Sequence, residues 1–285
     1  MKKMKKNHLV MYVFAALCIF VLSTDITYAS EFVNYQGIIM TEEEYNNLVN
    51  LGFTEDEIYY MNEDTFNDNK DIKSSLEVVN KKYYKTLYTN LNGGYYTTEI
   101  TEDEYNNQSS MNTRGTVETS YKTMVTTMSK NSDNTFRYKV SLIWKQFPST
   151  RSYDIIGIGF NDNVHINSGV YFNYYYANSS GNYTESSQYF NKKQLSTGGS
   201  AVYKLPSGDI RALGAVLYFD VSKNNASETI TRLDMYGDYA HATSNVSQSN
   251  VGNYTVNTNG LQLYSSIISY YDAIPCAQST WTGTW

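Results

Sequence analysis

Apolar and polar residues alternate along TFRYKVSLIWK, where Phe136, Tyr138, Val140, Leu142 and Trp144 take one side and Arg137, Lys139, Ser141, Ile143 and Lys145 the other. A period of two sends successive side chains to opposite faces of an extended chain, so this segment is expected to be a half-buried antiparallel strand. From about Thr116 onward similar runs recur at 117–128, 153–160, 169–176, 183–190, 200–205, 213–221 and 229–240, separated by turn clusters such as KNSDN, NSSGN and SKNNAS. Strands in such a series predict a mainly β protein, with an antiparallel β-sandwich over 113–285. Pro148, Pro206 and Pro275 fall at or beyond the ends of expected elements, where a missing N–H breaks no ladder.

Upstream the pattern is helical. Thr41-Glu-Glu-Glu44 and Thr54-Glu-Asp-Glu57 both have the form of a capping box, in which the Thr hydroxyl accepts from the backbone three residues on and the Glu reaches back. Both also place carboxylates in a first helical turn, where the helix dipole favours them. Gly52 stands where a left-handed residue would end the first helix, and Tyr45, Leu48, Val49, Leu51, Phe53, Ile58 and Met61 supply an apolar side. Residues 30–75 are therefore expected to form a small helical hairpin module. The order NLGF ahead of the second cap resembles the loop of small ubiquitin-associated three-helix domains, and what that resemblance implies is shape alone. TEDEYNN at 101–107 repeats TEEEYNN at 41–47 in six of seven positions, which reads as an old duplication or, since the flanks do not match, more readily as a second use of one capping sequence. Between the copies, KKYYKTLYT and YYTTEIT flank NLNGG and predict a β-hairpin, so 76–112 is read as hairpin and linker.

The first 29 residues change where the protein is expected to work. Lys2, Lys3, Lys5 and Lys6 precede an uncharged apolar run from Leu9 to Leu22, and Thr27 and Ala29 put small residues before Ser30. That run spans roughly 21 Å as a helix, short of the ~30 Å needed to cross a bilayer. The pattern is that of a cleavable secretory signal cut near Ala29/Ser30, so secretion is expected, with no stable membrane span in the mature chain. Cys18 follows a bulky Leu17 and does not read as a lipid attachment site. LPSG at 205–208 lacks the Thr of a sortase signal, so release into the medium is expected. Heavy Asn, Tyr, Lys and Ile usage points to a bacterial source with an AT-rich genome.

Cleavage removes four lysines and Asp25, leaving 18 basic and 27 acidic residues. An acidic chain without a Lys/Arg cluster is a poor partner for nucleic acid, which is bound by neutralising phosphates. The acidity is local: residues 30–71 hold eleven acidic residues and the single base Lys70, while the remainder is near neutral. One mature cysteine, Cys276, rules out an intramolecular disulfide.

Candidate chemistry is sparse. His165 and His241 belong to no HExxH or close His pair, so neither a metal nor another cofactor is expected. Asp238 and His241 lie three apart in MYGDYAHAT, a spacing that sends them to opposite faces of a strand unless it bends. Cys276 with His241 is the minimum for thiol chemistry, although AIPCAQS carries no thiol-protease signature and GxSxG is absent. These three residues are the catalytic candidates for an extracellular hydrolase. The alternation of TVETSYKTMVTTMSK also fits a membrane-inserting hairpin of a β-pore toxin. The property that stands out is aromatic, with 29 tyrosines and the cluster YFNYYY at 171–176. Tyr171, Tyr174, Tyr176, Trp281 and Trp285 are accordingly the ligand-binding candidates, since such side chains give broad, stiff contact area with a polar tip. The leading expectation is a secreted, non-enzymatic protein that recognises a glycan or a protein surface.

Overall fold

The structure, a computed structural model, describes residues 31–89, 94–107, 116–161, 163–181, 183–247 and 249–285. The expected signal segment, residues 1–29, and most of the NLNGG turn lie outside them. The described chain opens with a two-strand ribbon, β1 (Phe32–Val33) and β2 (Ile39–Met40), then three helices, α1 (Glu42–Asn50), α2 (Glu55–Tyr60) and α3 (Glu63–Asn69). A hairpin of β3 (Ser74–Thr89) and β4 (Gly94–Ile100) leads into α4 (Glu102–Asn106). There follow β5 (Thr116–Asn131), β6 (Phe136–Gln146), β7 (Tyr153–Phe160), β8 (Val164–Ile166), β9 (Tyr171–Asn178), β10 (Tyr183–Ser186), β11 (Asn191–Leu195) and β12 (Gly198–Lys204). The last third holds β13 (Ile210–Lys223), β14 (Arg232–Ala242), β15 (Tyr254–Asn257), β16 (Gly260–Leu263), β17 (Tyr271–Ala273) and β18 (Ala277–Thr282).

Two antiparallel sheets stack as a β-sandwich. The larger runs β10-β9-β13-β6-β5-β3-β4 with β8 also on β13, and the smaller runs β11-β12-β7-β14-β17 with β18 also on β14. The β3–β4 hairpin is part of the larger sheet, because β3 pairs with β5 from Ser74 opposite Asn131 to Thr89 opposite Thr116. Between the sheets lie Phe136, Tyr138, Val140 and Leu142 from β6, facing Ile156, Ile158 and Phe160 from β7. Burying a side chain of this size stabilises the fold by roughly 1.5–3 kcal/mol, and alternation delivers one at every second position.

Both outer faces are also covered. The β15–β16 hairpin closes over the smaller sheet, packing Tyr254 and Val256 on Ile155, Val202 and Ala240. The helices close over the larger sheet, where Leu48, Leu51, Phe53, Ile58 and Phe66 meet Val216 and Tyr218 of β13. Alternation along β6 predicts a polar side open to solvent, yet Arg137, Lys139 and Ser141 are buried. The reason is charge: Arg137 is paired with Asp220, and Lys139 meets Glu57 of α2.

The helices start where their caps put them. Thr41, Thr54 and Thr101 each accept from the backbone N–H of the Glu three residues on, and each Glu side chain returns the bond. Asn62 caps α3 by accepting from Thr65 N–H at 2.7 Å. The turn between α1 and α2 depends on Gly52, whose φ of +84° is unfavourable for any residue with a Cβ. A Cβ there would also fall on the side chain of Thr127 in β5.

Gly52→Ala is therefore expected to cost about 2 kcal/mol or more, measured by urea unfolding. Gly37→Ala, at φ +80° but in open space, carries only the backbone part of that cost and is expected to lose about 1 kcal/mol. Equal losses in the two variants would contradict close docking of the helices on the sheet.

Candidate functional site

Asp238 and His241 both sit on β14 but belong to different environments. Asp238 points to the outer face of the smaller sheet, where its Oδ2 accepts from Leu261 N–H at 3.0 Å. Gly260, at φ +84°, lets the β15–β16 turn close onto that carboxylate, since a Cβ there would strike it. The Cys276 thiol is the other partner of Asp238. Burial pushes the Asp238 carboxyl up to about 7 despite both hydrogen bonds. Burial and the Asp238 charge together push the Cys276 thiol far up. A thiol held protonated in this way is a hydrogen-bond donor and a poor nucleophile, because the thiolate is the reactive species.

His241 faces the other way, into the sandwich. Its Nδ1 lies 3.1 Å from both carboxylate oxygens of Asp154, which also accepts from Ala242 N–H at 2.9 Å and from the Tyr239 hydroxyl. Across the core Lys122 of β5 is fully buried, 3.8 Å from Asp272 of β17 and 4.7 Å from the centre of the Trp144 ring. Burial pushes the Lys122 ammonium down to about 8, with Asp272 and Asp154 acting in the opposite direction. An Asp that fixes a His is the orienting half of a nucleophilic site. Here the half stands alone: His241 Nε2 is buried and has no hydrogen-bond partner among the described residues. The arrangement joins the two sheets at one end of the core.

Sequence spacing did not single out Asp154, Lys122 or Asp272. A signal existed for two of them. Lys122 falls in register with Met124 and Met128, and Asp154 with Ile156, Ile158 and Phe160, so each is an ionisable residue on the apolar side of its strand. His165 lies on β8 with Nδ1 3.1 Å from Asn224 Oδ1, at an exposed position.

The aromatic candidates divide in the same way. Tyr174 and Tyr176 pack against the central core, ring centres 6.3 Å apart, with Tyr174 also stacked on Tyr203. Tyr171 is exposed and stacks on Tyr218 at 5.1 Å. Trp281 and Trp285 are buried on either side of Phe136, at 5.0 and 4.9 Å. Their indole N–H groups reach Glu77 and Asn134, which leaves both rings committed to the core.

A concave surface occurs where none of these residues lies. A cleft of about 320 Å³ opens between the β1–β2 ribbon and α2, lined by Phe32, Val33, Tyr45, Glu55, Asp56 and Tyr59, with Asn34, Met40 and Ile58 completing it. Phe32 stacks on Tyr45 at 4.3 Å. Phe32, Val33 and Tyr59 remain 38, 60 and 47% exposed, a concentration of open apolar surface. Asn34 is spent on the framework: its amide donates to the carbonyls of Met61 and Ile58, and its oxygen accepts from Gln36 and Ile38 N–H. Partial burial and the neighbouring Glu57 and Glu55 charges hold the Asp56 carboxyl above its ordinary range. Aromatic contacts continue from the cleft through Tyr59, Tyr60 and Tyr175.

Among the described residues no group of three His, Cys, Asp or Glu side chains could hold a metal ion. No protein-family model matches the chain, and no curated protein matches it. Among solved structures it is similar to AvmM, which catalyses macrocyclisation in alchivemycin A biosynthesis, at 9% identity and a TM-score of 0.23, over 51% of this chain and 79% of that one. It is also similar to a structure of manganese lipoxygenase of Gaeumannomyces graminis with part of zonadhesin of Komagataella pastoris, at 9% identity and a TM-score of 0.19, over 75 and 83% of the two chains. Likenesses this slight carry no functional argument.

The Asp238 environment makes a pH-dependent prediction. Its folded pKa lies above the ordinary 3.8, so between about pH 4 and 7 the folded protein holds a proton that the unfolded chain has released. Stability contributed by Asp238 is thus present below pH 4, falls as pH rises through this window, and is lost above about pH 7. Relative to Asp238→Asn, the wild type is expected to lose up to about 1 kcal/mol per pH unit from pH 4 to 7 in urea unfolding. A difference between the two proteins that is flat with pH would contradict the buried, partly protonated carboxyl.

Proposed function

We propose that the protein is a secreted, non-enzymatic recognition protein that engages its glycan or protein partner through the cleft between the β1–β2 ribbon and α2. The observation that carries this reading is the coincidence of a cavity, exposed aromatic faces and open carboxylates at one place. Aromatic rings on short, capped helices present contact area that loses little entropy on binding. The leader pattern of residues 1–29 supports export.

The alternatives have less behind them. For a hydrolase, the Asp154–His241 pair is buried and His241 Nε2 meets no hydrogen-bonded nucleophile among the described residues, and Cys276 is held as a thiol. For a pore, β5 is paired along both edges, by β3 and by β6, and would have to leave the centre of a sheet. No helix among the described residues is long and apolar enough to cross a membrane.

The test is retention on glycan and peptide arrays by the wild type and by the variant Phe32→Ser/Tyr59→Ser. The variant is expected to bind at least about tenfold more weakly to whatever the wild type retains and to keep its fold at a modestly lower thermal midpoint, because both side chains are partly open to solvent and Phe32 also stacks on Tyr45. Equal retention by the two proteins, or none by the wild type, would remove the reading.

A further inference from the structure

The polar lining of the cleft is one-sided, and that narrows its occupant. With Asn34 turned inward, the charged groups left to a ligand are the carboxylates of Glu55 and Asp56, beside the rings of Phe32, Tyr45 and Tyr59. Of the eleven acids of residues 30–71, three are paired with a cation among the described residues, Glu43 with Lys73, Glu44 with Lys70 and Glu57 with Lys139. Among the described residues Glu55 and Asp56 form no ion pair, although Lys81 is near enough to be felt weakly by Asp56.

The rings show the same vacancy. Elsewhere the chain places its own cations over some of its rings, Lys70 over Phe66 at 5.1 Å, Lys139 over Phe53 at 5.4 Å and Lys193 over Tyr254 at 3.8 Å. Among the described residues no cation lies over Phe32, Tyr45 or Tyr59. A group that donates without accepting, carries positive charge and brings an aliphatic stem satisfies both halves of this lining. From this we infer that the cleft takes the cationic side chain of a lysine- or arginine-bearing peptide, an inference that rests on the cleft being the recognition surface. The exposed Phe32–Val33 strand provides apolar footing for residues flanking that side chain. This footing favours a peptide over a free amine.

Titration calorimetry with N-acetyl-pentalysine amide tests the inference. The wild type is expected to bind it, at least about tenfold more weakly once every ε-amine is acetylated, and progressively more weakly as salt is raised. Glu55→Gln/Asp56→Asn is expected to lose binding by a similar factor. Glu63→Gln/Asp64→Asn, which removes two exposed acids outside the cleft, is expected to leave it unchanged. Equal binding of the acetylated peptide, or equal losses in the two charge variants, would overturn the inference. Binding of chitotetraose instead, abolished by Phe32→Ser/Tyr59→Ser, would overturn the cationic occupant and keep the recognition reading. If neither probe bound and that variant also retained every array ligand, the recognition reading itself would fall.

Discussion

Among the described residues one buried ion pair joins the helical module to the sandwich beneath its apolar contacts. Lys139 Nζ lies 2.7 Å from Glu57 Oε2, both side chains are out of solvent, and Lys139 also donates to the Gly52 carbonyl and the Ser141 hydroxyl. The same Glu57 oxygen accepts from Thr54 N–H and so caps α2. One carboxylate therefore starts a helix and neutralises a lysine in the middle of a sheet. Burial drives the Lys139 ammonium down while Glu57 holds it up. Charges taken this far from water are tolerated only with their partners in place, and removal of one partner typically costs 3–5 kcal/mol. Undocking the helices would strand both groups at once.

This coupling explains why the larger sheet has no solvent face at its centre. Arg137 repeats the arrangement with Asp220 and Asn69, and Asn69 in turn donates to Tyr218. The acidic excess of residues 30–71 is thus not spread evenly into solvent. One of these acids, Glu57, is the counter-charge for Lys139 of β6, and Glu55 and Asp56 stand at the rim of the cleft. With Glu57 fixed inward, α2 turns Ile58 into the module core, and Tyr59, Glu55 and Asp56 must face out. The position of the proposed recognition surface follows from the position of the ion pair.

How much of this could be seen beforehand differs between fold and site. The period of two located β5, β6, β7, β9, β12, β13 and β14 because each buries a regular apolar side, and the T-x-x-E boxes located three helix starts because capping is local chemistry. Periodicity separates two faces of a strand without saying what covers each, so Arg137 and Lys139 looked solvent-facing. The short strands β15 to β18 lack a long alternation and did not emerge from the pattern. In the site the difficulty was spatial. Asp238 and His241 are neighbours in the chain and occupy opposite faces, whereas Asp154 is distant in the chain and touches His241. The cleft joins residues 32–33 to 55–59, and Phe32–Val33, just past the expected cut, carries no periodic pattern that marks it.

Accessibility decides what these acids can do more than identity does. Asp154 sits beside a His, a Tyr and a backbone N–H, and its negative charge is consumed by them in the interior. Buried this deep, the group links the packing of two sheets at the expense of any contact with substrate, with His241 Nε2 left without a hydrogen-bond partner among the described residues. Asp56 is in the opposite position, partly relieved of water and crowded by the charges of Glu57 and Glu55, and neither it nor Glu55 has an ion-pair partner among the described residues. Their electrostatic repulsion is a cost that folding leaves in place, and the group that lowers it has to come from outside. The fold thus keeps the Asp154 carboxylate where nothing can reach it and the Glu55 and Asp56 carboxylates at the surface, which is the division that the proposed binding role requires.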